Sequence, residues 1–123
     1  MTILGLGNDI IEIERVRQGF EAHGEPFLAR LFTPKEIAYC RQQKNPYPRF
    51  AGRFAAKEAI AKALGTGVGA DAKWVEIEIL ADERGKPLVH LSDTLKKRLN
   101  GATMHVTISH CQSYAAAVAI LAT

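Results

Sequence analysis

Apolar positions change their period several times along the chain, and each change marks an element. Ile3 to Ile11 is almost continuously apolar and carries Gly5 and Gly7, which predicts a buried strand that another backbone approaches closely. A helical pattern follows from about Glu12 to Ala22, and Gly24 ends it. In Thr33-Pro34-Lys35-Glu36, threonine caps, proline takes the first turn and glutamate reaches back, so a helix is predicted from there to about Gln43. Asn45-Pro46-Tyr47-Pro48 breaks it. Arg49 to Leu64 is the strongest helical stretch, rich in alanine and stopped by Gly65, with Gly65-Thr66-Gly67-Val68-Gly69 as a flexible loop. Val75, Ile77 and Ile79 alternate with Glu76 and Glu78 as in a half-buried strand. Asp82 to Pro87 reads as a turn and Leu88 to Leu91 as the returning strand. Ser92 caps a short helix to about Leu99, closed by Asn100-Gly101, before two final strands, Met104–His110 and Tyr114–Leu121. Without repeats or a linker, residues 1–123 form one α+β domain with an antiparallel sheet and segregated, packed helices.

Drawn on a wheel at about 100° per residue, the central helix has Phe50, Phe54, Ile60 and Leu64 on one face, with Lys57 in its middle. The other side carries Ala51, Ala55, Ala59 and Ala63, with Glu58 and Lys62 among them. Such a helix is covered on most sides, and a carboxylate there needs a partner. Glu58 either pairs with Lys62 at i,i+4 or faces a cation. Asp9, at the end of a glycine-bearing strand, either caps the next helix or joins Glu58. Two carboxylates completed by substrate phosphates and water suit Mg2+. The glycine loop leaves the C-terminus of its helix, the end that repels phosphate, so it is no nucleotide cradle; it lets a substrate approach the backbone. His110 stands on the apolar parity of its strand, either packed there or binding a ligand. His105 and His110 lack zinc spacing, and neither serine nor cysteine has an evident base, so the chain activates a substrate hydroxyl rather than its own.

Composition narrows the classes. At 123 residues, 47% apolar and 24% charged, the chain supports a single ordered core. No apolar run approaches the ~18–20 residues of a membrane span, and the start lacks a secretory pattern. With Cys40 and Cys111 read as free thiols, a cytoplasmic location is expected. The net charge of +3 is mild, yet Lys35, Arg41, Lys44, Arg49, Arg53, Lys57 and Lys62 face only Glu36 and Glu58 over 35–62. That field attracts phosphates or an acidic partner. The rival is a non-catalytic nucleotide- or nucleic-acid-binding module, for which 7% aromatics offer little stacking apparatus.

Three segments, GLGNDIIEIERV, RFAAKEAIAKALGTGVG and HVTISHCQSYAAAVAI, together resemble the holo-acyl-carrier-protein synthases, the small trimeric phosphopantetheinyl transferases. The likeness covers nearly the whole chain in the family's order and spacing. It implies a 4′-phosphopantetheinyl transferase-like fold and transfer of 4′-phosphopantetheine from coenzyme A to a serine of an acyl carrier protein, with Mg2+, in fatty acid biosynthesis. By position it implies Asp9 and Glu58 as metal ligands and Lys62 beside the coenzyme A pyrophosphate. It places His110 at the nucleotide end, with Arg53 and the loop beginning at Gly65 lining the same pocket. A homotrimer with active sites at subunit boundaries is implied, as is docking of the acidic carrier on the first helix through Arg15 and Arg17. Glu21 and Glu25 dilute the charge of that helix. For the base that takes the serine proton, Glu58 and a water stay open. No nucleic acid and no membrane enters this reading.

Overall fold

The computed structural model describes residues 1–66 and 73–123. Its elements run β1 (Ile3–Glu12), α1 (Ile13–His23), α2 (Glu25–Leu31), α3 (Pro34–Cys40), α4 (Tyr47–Leu64), a 3₁₀ turn (Trp74–Glu76), β2 (Ile77–Ala81), β3 (Pro87–Leu91), α5 (Asp93–Leu99), β4 (Thr103–His110) and β5 (Tyr114–Ala122). All strand pairing is antiparallel, in a three-stranded sheet ordered β1-β5-β4 and a separate β2-β3 hairpin. The expected α+β class holds, with two small sheets in place of one.

The smallest side chains set the centre of the fold. A Cβ added at Gly5 would collide with the carbonyl oxygen of Ala63, and one at Gly7 with that of Ala59. So α4 lies with its backbone directly on β1. Next door, Ala117 and Ala119 of β5 join Ala55, Ala56 and Ala59 of α4 in one buried cluster. The alanines therefore serve close approach as well as helix propensity. A second cluster packs α1, α2 and α3 against the N-terminal half of α4 through Val16, Leu28, Phe32, Cys40 and Phe50. Burial pushes the Cys40 thiol up to about 12, so it stays an inert thiol.

The opposite face of the sheet is bare. Leu6 and Ile10 are each 66% exposed, and Val118 and Tyr114 lie beside them on β5.

Several boundaries move for identifiable reasons. Residues 25–31 form α2, which the periodicity did not predict: Gly24 at φ 72° turns the chain, and Pro26 sits in the new helix's first turn. The capping box at Thr33 and Glu36 is present, but α3 stops at Cys40 instead of Gln43. Pro48 begins α4 rather than breaking the chain before it, because a first-turn proline forfeits no helical hydrogen bond. Val75 belongs to the 3₁₀ turn, and the strand starts at Ile77.

Lys57 emerges from the apolar face of α4 into full burial, with no exposed side-chain surface. Its ammonium donates to Glu36 Oε1 at 2.7 Å, to the Leu31 carbonyl at 2.7 Å and to the Trp74 carbonyl at 3.1 Å. Glu36 also accepts from the amides of Thr33 and Ile79, both at 2.9 Å. Desolvation lowers the pKa of Lys57, and Glu36 opposes that shift. Every proton of the ammonium is spoken for.

Candidate functional site

On β1, side chains alternate between faces, so Asp9 follows Gly7 on the side that meets α4. Helical geometry turns Glu58 about 100° away from the buried Lys57 and out of the core. The two acids thereby line one groove of about 750 Å3, whose walls come from α1, α2, Phe54 and Trp74. Phe54 and Trp74 stack with ring centroids 4.7 Å apart. Arg15 and Arg30 bring positive charge to the same groove, which His23 also lines.

Asp9 does not cap α1, whose N-cap is Glu12 and has no side-chain cap. Lys62 does not pair with Glu58 either. It crosses to β1, with Nζ 2.9 Å from the Asn8 carbonyl and 3.3 Å from Asp9 Oδ1. The i,i+4 reading of Glu58 and Lys62 is thus replaced by a bridge between elements. Asp9 keeps 19% of its side chain exposed, and Lys62 keeps 52%. Desolvation first, then the neighbouring charge of Asp9, push the Glu58 carboxyl above the usual carboxylate range, with Lys62 pulling it back. Asp9 and Glu58 thus share one lysine at their end of the groove, with Arg15 and Arg30 elsewhere on its walls. This donor set fits a hard cation bound by oxygen. Among the described residues no group of three or more His, Cys, Asp or Glu could hold a metal. The acids stand as a pair, the number with which Mg2+ is commonly bound when substrate phosphates complete its shell.

The other predicted residues are placed differently. Gly65 caps α4 at φ 77°, in the left-handed region that favours glycine, with nothing within 4 Å of an added Cβ. Of the predicted loop, 67–69 lie outside the described residues. Arg53 points away from the groove: its Nε donates to the Ile79 carbonyl at 3.1 Å, and its guanidinium lies 4.4 Å from the Tyr39 ring centroid. His110 is exposed at the end of β4, opposite Ala115, with β5 between it and β1. One protomer therefore unites Asp9, Glu58 and Lys62, with Gly65 one turn beyond, but not Arg53 or His110.

The basic stretch over 35–62 is not a basic face. Arg41 pairs with Glu25, Arg49 donates to the Tyr39 carbonyl, Arg53 and Lys57 are buried, and Lys62 serves Asp9. On α1 the two arginines also part. Arg17 is held by Glu14 and Glu21 of its own helix, whereas Arg15 lines the groove and forms no ion pair among the described residues. The walls supplied by Arg30 and Leu31 escaped the sequence reading because α2 did, with Gly24 followed closely by Pro26 as its available signal, and Trp74 escaped it in the 3₁₀ turn.

Comparison with known proteins places this geometry among relatives. The family model described as the 4′-phosphopantetheinyl transferase superfamily matches residues 5–119. The chain is 48% identical over 117 residues to a holo-[acyl-carrier-protein] synthase of Protochlamydia amoebophila, covering 95% of this chain and 96% of that one. The crystal structure of holo-[acyl-carrier-protein] synthase from Neisseria meningitidis superposes with a TM-score of 0.89 at 32% identity, over 99% of this chain and 100% of that chain. A Bacillus anthracis holo-(acyl-carrier-protein) synthase in complex with CoA (3′,5′-ADP) gives 0.85 at 34% identity, over 100% of this chain and 99% of the other.

Proposed function

Because the chain belongs to the 4′-phosphopantetheinyl transferase superfamily, as an enzyme of the holo-[acyl-carrier-protein] synthase type, we propose that it transfers 4′-phosphopantetheine from coenzyme A to a serine of an apo acyl carrier protein, with Mg2+ held by Asp9 and Glu58. The convergence of those two acids, with Lys62 beside Asp9, carries the reading. Held by Asp9 and Glu58, Mg2+ would supply Lewis-acid charge toward a substrate diphosphate. The chain does the rest. Asp9 and Glu58, fixed on a strand and a helix that touch backbone to backbone, set where the diphosphate lies. Among the described residues Lys62 is the ammonium that reaches Asp9, and it offsets negative charge as the phosphoanhydride bond of coenzyme A breaks. The serine hydroxyl attacks the phosphorus that bears pantetheine, and 3′,5′-ADP leaves. The reading places the enzyme in the cytoplasm, serving fatty acid synthesis, where its two substrates meet.

The bare sheet face with Leu6, Ile10, Val118 and Tyr114 supports a homotrimer, in which one copy's sheet covers another's. Assembly would also let His110 and Gly65 serve the nucleotide end of a coenzyme A held between copies. Arg53, engaged with Ile79 and Tyr39, then shapes that pocket from behind.

The reading is tested by incubating the chain with apo carrier protein, coenzyme A and Mg2+ and weighing the carrier intact. A gain of one phosphopantetheine is expected, and an unchanged mass would overturn the assignment. Docking of the acidic carrier falls to Arg15 rather than Arg17, since of these two Arg15 lines the groove and forms no ion pair among the described residues. Charge reversal turns attraction into repulsion. Arg15→Glu is expected to raise the carrier KM several-fold, and added salt to bring the wild type toward it. Arg17→Glu is expected to change it less. Equal effects of the two reversals in steady-state kinetics would remove Arg15 from the docking surface.

A further inference from the structure

We propose that Lys57 is a positioning residue for the transfer reaction, gripping through two backbone carbonyls the walls of the groove in which Asp9 and Glu58 stand. The inference rests on the function proposed above for that groove.

The ammonium lies one residue before Glu58, on the buried side of α4, and touches no groove surface itself. Its contacts do. The carbonyl it takes from Leu31 is at the end of α2, where the last helical carbonyls lack intrahelical partners. The carbonyl it takes from Trp74 belongs to the 3₁₀ turn. Leu31 and Trp74 both line the groove, and the Trp74 ring stacks on Phe54, one turn before Lys57 on α4. Lys57 thus ties two separate walls to the helix that carries Glu58. Glu36 balances the charge and, through the Ile79 amide, holds β2 in the same place.

Stability alone gives little reason for such a residue. A buried ion pair is often replaceable by apolar side chains of similar volume with no loss of folding. Apolar residues, however, cannot hold two carbonyls, and neither Leu31 nor Trp74 is fixed to α4 by any other side-chain hydrogen bond among the described residues. The position of the walls, rather than the existence of the fold, is what Lys57 determines.

Trp74 is the chain's single tryptophan and reports on its own wall. The test compares Lys57→Met/Glu36→Gln, which removes both charges and leaves no unpaired ion, with Glu36→Gln alone, which keeps both carbonyl bonds. In the double variant, melting is expected to stay within a few degrees of the wild type. Trp74 emission should shift to the red and become more open to acrylamide quenching, with kcat falling about tenfold or more per folded molecule. Glu36→Gln alone leaves the buried ammonium without its counter-charge and should melt lower than the double variant, yet keep most of its native emission and turnover. If the double variant folds with unaltered emission and turnover, Lys57 only fills space, and the proposal fails. If the double variant does not fold, Glu36→Gln decides. Folded with native emission and most of its turnover, it supports a grip made by the lysine. Folded with red-shifted emission and turnover lowered about tenfold or more, it assigns the effect to the charge pair and overturns the proposal. Emission and quenching need no substrate, so a wild type inactive toward coenzyme A would refute the proposed function without touching this reading of the wall.

Discussion

Glu58→Gln is expected to lower kcat on the order of 10²–10³-fold, the scale of losing one stabiliser of transition-state charge, and Asp9→Asn to do the same. Neutral amides are poor Mg2+ ligands, and neither acid packs the core, so both variants should fold. Stability gives an independent readout. Burial and Asp9 raise the folded-state pKa of Glu58 above its unfolded value. Across that interval the folded chain holds more protons than the unfolded one, so stability falls as pH climbs from the ordinary carboxylate range through the raised value. The share of that slope due to Glu58 should be absent in Glu58→Gln. Mg2+ should raise the melting temperature of the wild type by mass action and leave either variant unmoved. Wild-type turnover in either variant at ordinary Mg2+, or an equal melting response to the ion, would dissolve the two-carboxylate site.

Gly7→Ala is expected to be, with Gly5→Ala, among the most damaging single methyl additions at the described residues. The new Cβ meets the Ala59 carbonyl oxygen and has the Ala63 amide at 2.9 Å, all backbone of a buried helix that cannot swing aside. Ordinary overpacking costs about 1–3 kcal/mol, and a backbone collision belongs at or above the upper end. Against a total of roughly 5–15 kcal/mol for a domain, that is a large share. The melting temperature should drop by about 10 °C or more. Gly85→Ala is the control: its φ is 86°, but nothing lies within 4 Å of the added atom, so only local strain is incurred. A Gly7→Ala variant that melts no lower than the control would refute the direct seating of α4 on β1. Displacement of α4 would also part Glu58 from Asp9, so turnover should suffer in whatever fraction stays folded.

What the sequence discloses follows the range of the forces involved. The alternation at Ile77 and Ile79, the alanine run of α4 and the capping box at Thr33 are local signals, and each became the expected element. The two glycines of the first strand correctly announced a backbone neighbour, and the placement of Asp9 and Glu58 on rigid elements followed from them. A seven-residue helix such as α2 has too few turns to show a period, and tertiary contacts of Leu28 and Leu31 hold it. Long side chains are the least legible of all. Nothing at i or i+4 told that Lys62 would leave Glu58 for Asp9, or that Lys57 would find Glu36 across 21 residues. Arg53 was read as facing a ligand, whereas the Tyr39 ring and the Ile79 carbonyl claim it.

The contact between α4 and the sheet has consequences for how such a chain can drift over generations. It is made of glycine on one side and alanine on the other, residues from which almost nothing can be subtracted. Ordinary cores tolerate drift by exchange, one side chain growing as its neighbour shrinks. At Gly5 and Gly7 the neighbour is backbone, which has no smaller form, so change there can run only toward collision. Divergence has more room elsewhere, in the hairpin, the connecting turns and the self-paired Arg17, while the acids are carried along unmoved on an interface that lacks a compensating step.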